Sequence, residues 1–353
     1  MMRVTRFVLV VVAASLLGLL ADPNLAAAVS ADAASHTGST EAAPGQPPTK
    51  PTAEHQPVAP AVSRVEPTLL KAVVKIQAPA TAHTPAAIGA GFLVSCGILS
   101  GDRRQQLFFL ITNKHVIGDW TLADGDILEY RKSLDLFLYG GPGGGFTVIS
   151  VPLLDGSGTV VRNRVRLAPD RHVDVAAVFL NDIPVPVNPP LTFNTFDPTY
   201  LLPFDKIAGS LTGLGDQVFA LGYPLGVTSA KTSYPIAKAG YLATTPGEVL
   251  SIDVPTSGRN GNRTSIRLDG KLLVVDGLIV PGNSGGPIVL PSELKVRRNP
   301  ITNELEFATE QTKNLIIGIV SEAIGGGLTL CYSSDYVLEL VSSFLSDLSP
   351  ASE

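Results

Sequence analysis

Short apolar runs recur along the chain between residues 72 and 332, and segments rich in glycine and proline separate them. Each run is four to six residues long, which is typical of β-strands and short for a helix. The pattern therefore predicts an all-β fold whose strands fall into two sets. The first set consists of Ala72–Ile76, Ala90–Val94, Leu107–Thr112, Phe146–Val151 and Val175–Leu180. The second set consists of Gln217–Leu221, Val249–Val254, Lys271–Val275, Pro287–Leu290, Leu315–Val320 and Leu328–Tyr332.

A proline-rich segment, Asn181–Phe204, separates the two sets of strands. Its prolines are Pro184, Pro186, Pro189, Pro190, Pro198 and Pro203. Proline has no backbone N–H to donate to a neighbouring strand, so this segment cannot form a central strand. We interpret it as the connection between two halves of the fold.

Two further segments have a clear periodicity. Arginines occupy alternate positions, 162, 164 and 166, in Val161–Leu167, and a strand there would place all three side chains on one face. We expect that face to be solvated, in preference to a basic recognition patch. Near the C-terminus, Ser334 can cap a helix over residues 334–348. The apolar residues of this helix form one stripe, which consists of Val337, Leu340, Val341, Phe344 and Leu348.

Residues 1–28 have the pattern of a secretory signal peptide. Arg3 and Arg6 precede the apolar run Phe7–Leu20, and small residues follow at Ala26–Ala28, as in cleavable signals. The run is short for a membrane span, so we expect cleavage and a secreted or periplasmic protein, rather than an uncleaved membrane anchor. Residues 29–66 are rich in Ala, Pro, Ser and Thr and lack apolar periodicity, which predicts a disordered linker.

Composition excludes several classes of function. The 353 residues suffice for one large domain or two modest ones. The net charge of −5 argues against a nucleic-acid partner, which usually needs a basic face on the protein. The sequence has neither a phosphate-binding glycine loop followed by lysine nor a His/Cys cluster at zinc-ligand spacing. We therefore expect neither a metal nor another cofactor.

The segment Pro281–Pro287 places one serine among glycines, between the apolar runs Leu278–Val280 and Ile288–Leu290. A serine hydroxyl becomes a good nucleophile only when a base removes its proton and donors stabilise the oxyanion that forms. Glycines beside Ser284 allow a tight turn, in which backbone N–H groups can point at that oxyanion. Alone, such a segment is more often a glycine-rich hairpin.

Two upstream segments supply the residue types that would activate Ser284. His115 follows the apolar run Phe108–Ile111 and three polar residues, and imidazole can act as a base and then as an acid near neutral pH. Asp174 precedes another apolar run, and a carboxylate would fix the imidazole tautomer. Of the rivals, His172 is expected to be a loop residue beside the site, and Asp170 could replace Asp174 but lies farther from the strand. Together, His, Asp and Ser in this order predict nucleophilic catalysis.

These segments resemble the signature blocks of the chymotrypsin/trypsin-like serine peptidases and are most similar to the bacterial HtrA-type branch. The matching segments are Gly91–Val94, Thr112–Val116, Asp174–Ala176, Ala220–Gly226, Gly282–Pro287 and Ile317–Ser321. The resemblance implies one peptidase domain over residues 67–349, without the PDZ domain that HtrA-type proteins usually carry. It also implies two six-stranded antiparallel β-barrels, at about 67–185 and about 205–333, and a C-terminal α-helix at 334–348.

The resemblance further implies a serine endopeptidase that acts on proteins or peptides through an acyl-enzyme. Ser284 would be the nucleophile and His115 the general base, and Asp174 would orient His115. The backbone N–H groups of Gly282 and Ser284 would form the oxyanion hole. A catalytically silent trypsin-like binding or chaperone module is the alternative, and the intact triad argues against it. An esterase is disfavoured because a nucleophile elbow with the chain order Ser, Asp, His is absent.

The resemblance assigns the substrate pocket to Leu278, Ser321, Glu322 and Ala323. Leu278 at the base is apolar, so we expect small or apolar substrate side chains in preference to Lys or Arg, because a buried cation without a partner is costly. The acids Asp276 and Glu322 lie close enough in the sequence to reverse this preference.

Asn283 separates this chain from its zymogen-activated relatives, and the two cysteines raise the question of a disulfide. Asn283 stands where zymogen-activated members carry an aspartate that pairs with a newly freed N-terminal amine, so we expect activity without a cut near residue 67. Cys96 and Cys331 would lie in different barrels, too far apart to bridge. We therefore expect two buried thiols, although export permits a disulfide.

Overall fold

A computed structural model describes residues 65–100, 103–139, 145–184, 194–208, 212–228, 233–257, 262–277, 280–292, 296–298, 301–307 and 314–348. The predicted signal peptide, and the predicted linker up to residue 64, lie outside the described residues. Within the described ranges, no helix is long and apolar enough to cross a membrane.

The described secondary structure consists of antiparallel strands, four α-helices and two 3₁₀-helices, Pro198–Tyr200 and Pro224–Gly226. The first half contains α1 (Pro67–Leu70), β1 (Val73–Ala78), β2 (Ala87–Ser100), β3 (Arg103–Thr112), α2 (Lys114–Ile117), β4 (Ser133–Tyr139), β5 (Phe146–Pro152), β6 (Val165–Leu167) and β7 (Ala176–Phe179). The second half contains α3 (Phe204–Ile207), β8 (Gln217–Gly222), β9 (Ile236–Leu242), β10 (Leu250–Ser257), β11 (Arg263–Gly270), β12 (Leu272–Asp276), β13 (Pro287–Leu290), β14 (Val296–Arg298), β15 (Leu305–Phe307), β16 (Leu315–Gly325), β17 (Leu328–Ser333) and α4 (Ser334–Leu348). The all-β class and all eleven predicted strands are confirmed.

The first half forms a seven-stranded sheet in the order β5-β4-β1-β2-β3-β7-β6. Strand β6 adds a seventh member beside β7, and no pairing joins the edge strands β5 and β6 in the described part of the chain. This half is therefore an open, half-barrel sheet where a closed six-stranded barrel was expected. Strands β3 and β7 are neighbours, with Thr112 opposite Ala176. Their pairing brings the residues after β3 close to the residues before β7.

The second half contains the expected closed barrel of six strands, in the order β12-β17-β16-β13-β8-β9. Pairing of Val275 with Leu242 joins β12 to β9 and closes it. Strands β10 and β11 form a separate hairpin, which packs on the core through buried Val254 and Leu268.

The proline-rich connection is hydrogen-bonded to both halves. Residues 185–193 lie outside the described ranges. Beyond them, the Phe196 N–H donates to the Leu93 carbonyl at 2.8 Å, and the Leu202 N–H donates to the Ile316 carbonyl at 2.8 Å. The segment thus links the first sheet to the barrel, as its sequence indicates.

The arginine-rich segment does not form the predicted solvated strand face. Strand β6 begins only at Val165, because Asn163 takes a left-handed backbone conformation with φ +58°. Arg164 is buried and donates to the Asp182 carboxylate at 2.5 and 2.9 Å. Arg166 forms an ion pair with Asp347 of α4. Two of the three arginines therefore bind carboxylates within the fold.

Helix α4 is confirmed, and its apolar stripe packs against the first sheet. Val337, Leu340, Val341 and Phe344 are buried, and the Phe344 ring lies 5.2 Å from the Phe109 ring, between centroids. The predicted cap is displaced by one residue: the Ser333 hydroxyl accepts from the Asp335 N–H at 3.0 Å. Ser334 instead donates to the Leu202 carbonyl. Cys96 and Cys331 are both buried and are free thiols rather than a disulfide, as expected.

Candidate active site

Three loops bring the predicted site residues together. His115 lies in the single turn of α2, directly after β3, and Asp174 lies two residues before β7. Ser284 lies in the turn that precedes β13, and its carbonyl accepts from the Ala90 N–H of β2 at 2.8 Å. This bond fastens the barrel turn to the first sheet, so the site lies between the two halves.

Asp174 is fully buried and holds His115 through two hydrogen bonds. Its Oδ2 lies 2.6 Å from His115 Nδ1, and its Oδ1 accepts from the His115 main-chain N–H at 3.1 Å. The Ser321 hydroxyl donates to the same Oδ2 at 2.7 Å. A carboxylate can only accept, so Nδ1 carries the proton and Nε2 is left as the basic nitrogen.

The rival residues do not make this contact. The Asp170 Oδ1 accepts from the His172 N–H at 2.9 Å, and His172 Nδ1 lies 2.9 Å from the Leu122 carbonyl. His172 therefore belongs to a loop beside the site, as predicted, and Asp170 is bonded within that loop and does not replace Asp174.

The His115 imidazole is partly buried, with 32% of its side chain exposed. Burial lowers its pKa, but the charge of Asp174 and their hydrogen bond outweigh burial, and Glu322 adds to their effect. The pKa of His115 is therefore raised above its ordinary value. Such a histidine is a stronger base, and it holds a proton more readily once it has taken one.

Asn113 and Lys114, the two residues that precede His115, bind the loop that leads to Asp174. The sequence analysis missed both roles. The Asn113 side-chain amide donates to the Asp174 carbonyl at 2.5 Å. Lys114 is 2% exposed, and its ammonium donates to the carbonyls of Ala168, Asp170 and Arg171 at 3.1, 2.9 and 3.4 Å. Burial lowers the pKa of Lys114, while nearby aspartates oppose that shift. The lysine thereby ties α2 to the loop that leads to Asp174.

Ser284 points into the same cleft but is not bonded to the histidine. Its hydroxyl donates to the Ser321 carbonyl at 3.0 Å, and the described residues include no hydrogen bond between Ser284 and His115. Ser321 thus contacts both Asp174 and Ser284, through its hydroxyl and its carbonyl. The sequence suggested a main-chain role for Ser321 and gave no sign of the side-chain bond to Asp174.

Two N–H groups of the turn at Ser284, those of Gly282 and Ser284, make no hydrogen bond to the described residues. The Pro281 carbonyl accepts from the Leu225 N–H at 2.7 Å, and the Gly282 carbonyl accepts from the Tyr223 N–H at 3.0 Å. In a trans peptide the N–H points opposite to the carbonyl, so the Gly282 N–H points away from Leu225. Neither it nor the Ser284 N–H donates to another group in the described parts of the chain. Both are therefore available as hydrogen-bond donors.

Gly282 is required at its position. Its φ is +99°, and a Cβ there would lie 2.1 Å from the Tyr223 carbonyl oxygen. Any other residue would strain the backbone and push apart the two segments whose hydrogen bonds orient the turn.

Asn283 is fully buried, and neither polar atom of its side chain has a hydrogen-bond partner in the described structure. The expectation that activity needs no cut near residue 67 remains a prediction.

The cleft that His115 and Ser284 line has a volume of about 790 Å³. The first sheet contributes residues 86–88, 115 and 120–122, and the barrel half contributes 255–257, 280–282, 284 and 321–323. The structure thus brings together His115, Gly282, Ser284, Ser321, Glu322 and Ala323, whereas Leu278 lies outside the described residues. Of the two acids, Glu322 lines the cleft and Asp276 does not.

Glu322 and His115 are the titratable side chains among the described residues that line the cleft. Burial, helped by the charge of Asp174, raises the pKa of Glu322 to about 7. In the described ranges, no group of three or more His, Cys, Asp or Glu side chains is arranged to hold a metal ion.

Comparison with known proteins identifies the family. The sequence profile described as "Trypsin-like peptidase domain" matches residues 89–296, which is more than half of the chain. No curated protein matches the chain. Among solved structures, the Rv3671c protease from M. tuberculosis in its active form is 16% identical, with a TM-score of 0.38 over 85% of this chain and 94% of that one. The MamO protease domain from Magnetospirillum magneticum is 15% identical, with a TM-score of 0.39 over 77% and 96%. On the profile match, this chain belongs to the trypsin-like peptidase family.

Proposed function

We propose that this peptidase is a serine endopeptidase that acts on proteins or peptides through an acyl-enzyme. Ser284 is the nucleophile, His115 the general base and then acid, and Asp174 the residue that orients His115. One observation carries the proposal: buried Asp174 contacts His115 Nδ1 at 2.6 Å, which leaves the basic Nε2 for the cleft that contains Ser284.

The proposed reaction begins when the substrate replaces Ser284 as the hydrogen-bond donor to the Ser321 carbonyl. This oxygen accepts from Ser284 in the free protein, and a main-chain N–H of an extended substrate can replace that donor. The released Ser284 hydroxyl gives its proton to His115 as the oxygen attacks the substrate carbonyl. The N–H groups of Gly282 and Ser284 then stabilise the oxyanion.

His115 next donates its proton to the leaving amine, and the peptide bond breaks to give an ester of Ser284. Water attacks that ester by the same route in reverse order, with His115 again acting as base and then as acid. Burial of Asp174 strengthens its attraction for the imidazolium that forms in each step.

One observation favours the alternative, a catalytically silent binding or chaperone module. The Ser284 hydroxyl is turned to Ser321 rather than to His115. The orientation of the Gly282 N–H argues the other way, because a silent module needs no pair of unobstructed donors beside the serine.

We also propose the cellular location and the pocket preference. Export follows from the pattern of residues 1–28, and the mature protein is secreted or periplasmic. The residue before the scissile bond is small or apolar, in keeping with the apolar Leu278. N-terminal sequencing of protein recovered from the periplasm or the medium tests the first statement. Cleavage-site profiling tests the second, and a profile dominated by Lys or Arg before the scissile bond would contradict it.

Hydrolysis of a peptide library tests the central proposal, with cleavage sites assigned by mass spectrometry. Ser284→Ala should lower turnover by about 10⁴-fold or more, because only transition-state binding without a nucleophile remains. Ser346→Ala, the same change at an exposed position of α4, is the matched control and should retain wild-type turnover. Hydrolysis by Ser284→Ala within tenfold of wild type would refute the assignment. Peptide binding by the wild type without any hydrolysis would support the binding module.

A further inference from the structure

Glu322 is an acidic side chain in the wall of the cleft without a described partner. No hydrogen bond or ion pair joins its carboxylate to the described residues, and no lysine or arginine is among those that line the cleft. Its charge acts on His115 and Asp174. Neither carboxylate oxygen of Glu322 has a role in the proposed triad.

Glu322 lies near a second negative charge, that of Asp174. Asp174 lies behind His115, and the phenol of Tyr332 on β17 is neutral. Arg131, whose charge lowers the pKa of His115, donates to main-chain carbonyls that include that of Val116 at 3.1 Å. The Lys114 ammonium, whose charge acts on Asp174, likewise donates to main-chain carbonyls. Neither cation is bonded to Glu322 in the described structure, so this carboxylate can pair with a cation that the substrate brings.

The path of the substrate identifies the position of that cation. The residue whose carbonyl is attacked, P1, must lie beside Ser284 and therefore beside the Ser321 carbonyl, 3.0 Å from the serine hydroxyl. An extended substrate paired with the end of β16 then places its preceding residue, P2, against Glu322. Successive side chains of an extended chain point to opposite sides, so the P2 side chain leaves the P1 pocket and points towards His115 and Glu322.

The same part of the cleft suits a long side chain with a charged end. Trp120 and Leu122 are almost fully buried, and their edges line the cleft with His115. Lysine and arginine pack their methylene stems on apolar surface while the charged group reaches a polar partner. Trp120 is held in place, because its indole N–H donates to the Gly125 carbonyl at 2.9 Å.

We infer that Glu322 forms a subsite that selects lysine or arginine at P2 of the substrate. The inference rests on the proposed peptidase function and adds a requirement to it. The preferred substrate is then a segment with a cation at P2 followed by a small or apolar P1 residue.

Matched peptides that differ only at P2 test the inference. One peptide that the enzyme cleaves is prepared with arginine at P2 and with citrulline, the neutral isostere of arginine. For wild type, kcat/KM for the arginine peptide should exceed that for the citrulline peptide by roughly tenfold to a hundredfold, the range for a hydrogen bond to a charged group. Glu322→Gln should bring the ratio close to one. Glu248→Gln, on an exposed loop, should keep the wild-type ratio.

The ratio is taken within each enzyme, so any effect of Glu322 on His115 cancels. A second measurement needs no variant: in wild type, the arginine-to-citrulline ratio should fall as the pH drops below about 7, where Glu322 takes up a proton. A wild-type ratio near one, a ratio that survives Glu322→Gln, or a ratio independent of pH would each overturn the inference. If no peptide is cleaved at all, the proposed function fails; if peptides are cleaved without discrimination at P2, only this inference fails.

Discussion

Replacement of Asp174 by asparagine separates the role of the carboxylate from the geometry around it. The carboxylate accepts three hydrogen bonds: Oδ1 from the His115 main-chain N–H, and Oδ2 from His115 Nδ1 and the Ser321 hydroxyl. An asparagine amide has one oxygen and one NH₂ group. With its oxygen at the Oδ1 position, the NH₂ can donate to Nδ1 and to the Ser321 hydroxyl oxygen, so each polar atom of the amide is paired. The reverse orientation sets the NH₂ against the main-chain N–H.

The favoured orientation converts His115 to the wrong tautomer. Nδ1 must then accept a proton from the amide, so the ring proton moves to Nε2, and His115 cannot accept the proton of Ser284. An unpaired buried donor costs about 1–3 kcal/mol, which alone reduces the competent tautomer by about 5- to 150-fold. The attraction between the carboxylate and the imidazolium is lost as well. We therefore expect kcat to fall by roughly 10⁴-fold, the loss known for this substitution in such a triad.

The assay measures kcat and kcat/KM on a cleaved peptide, together with the thermal unfolding midpoint. Asp174→Asn should unfold close to the wild-type temperature, because all its hydrogen bonds can be remade. Asp269→Asn, which is 65% exposed, is the control and should keep wild-type kcat. A folded Asp174→Asn variant within tenfold of wild-type kcat would refute the tautomer argument.

Two further predictions concern His115 and its neighbour Lys114. Because only neutral His115 can act as a base and its pKa is raised, kcat/KM should fall with decreasing pH from a midpoint above the ordinary histidine value of about 6.5; a midpoint below 6 would contradict this sign. Lys114→Met removes the ammonium from three carbonyls and should lower the free energy of unfolding by about 2 kcal/mol, as measured by urea denaturation. Lys132→Met, on the surface, should leave the free energy of unfolding nearly unchanged. Equal losses of that free energy in both variants would contradict the structural role of Lys114.

Features encoded within a few residues were predictable from the sequence. His115, Asp174 and Ser284 each lie next to an apolar run that forms a strand, and their order along the chain indicated their roles. Strand β4 was missed although its burial alternates along the whole strand, so its sequence pattern could have revealed it. Strand β11 carries mainly exposed residues, and its sequence has little apolar signal.

Features that depend on distant contacts could not be predicted. Ser321 and Asp174 are 147 residues apart, and their hydrogen bond exists only after the barrel half meets the first sheet. Lys114 is a charged residue, a type that is rarely buried, and its carbonyl partners lie more than 50 residues away. Arg164 was expected on a solvated face for the same reason, and its ion pair with Asp182 depends on the turn at Asn163.

Labelling with a fluorophosphonate probe, followed by mass spectrometry of the modified peptide, tests the central claim most directly. The probe reacts only with a serine whose proton is removed and whose oxyanion is stabilised. Labelling of wild type at Ser284, with none in folded Ser284→Ala and His115→Ala, is the result that the proposed triad predicts. Labelling at another serine, or none in folded wild-type protein, would contradict it.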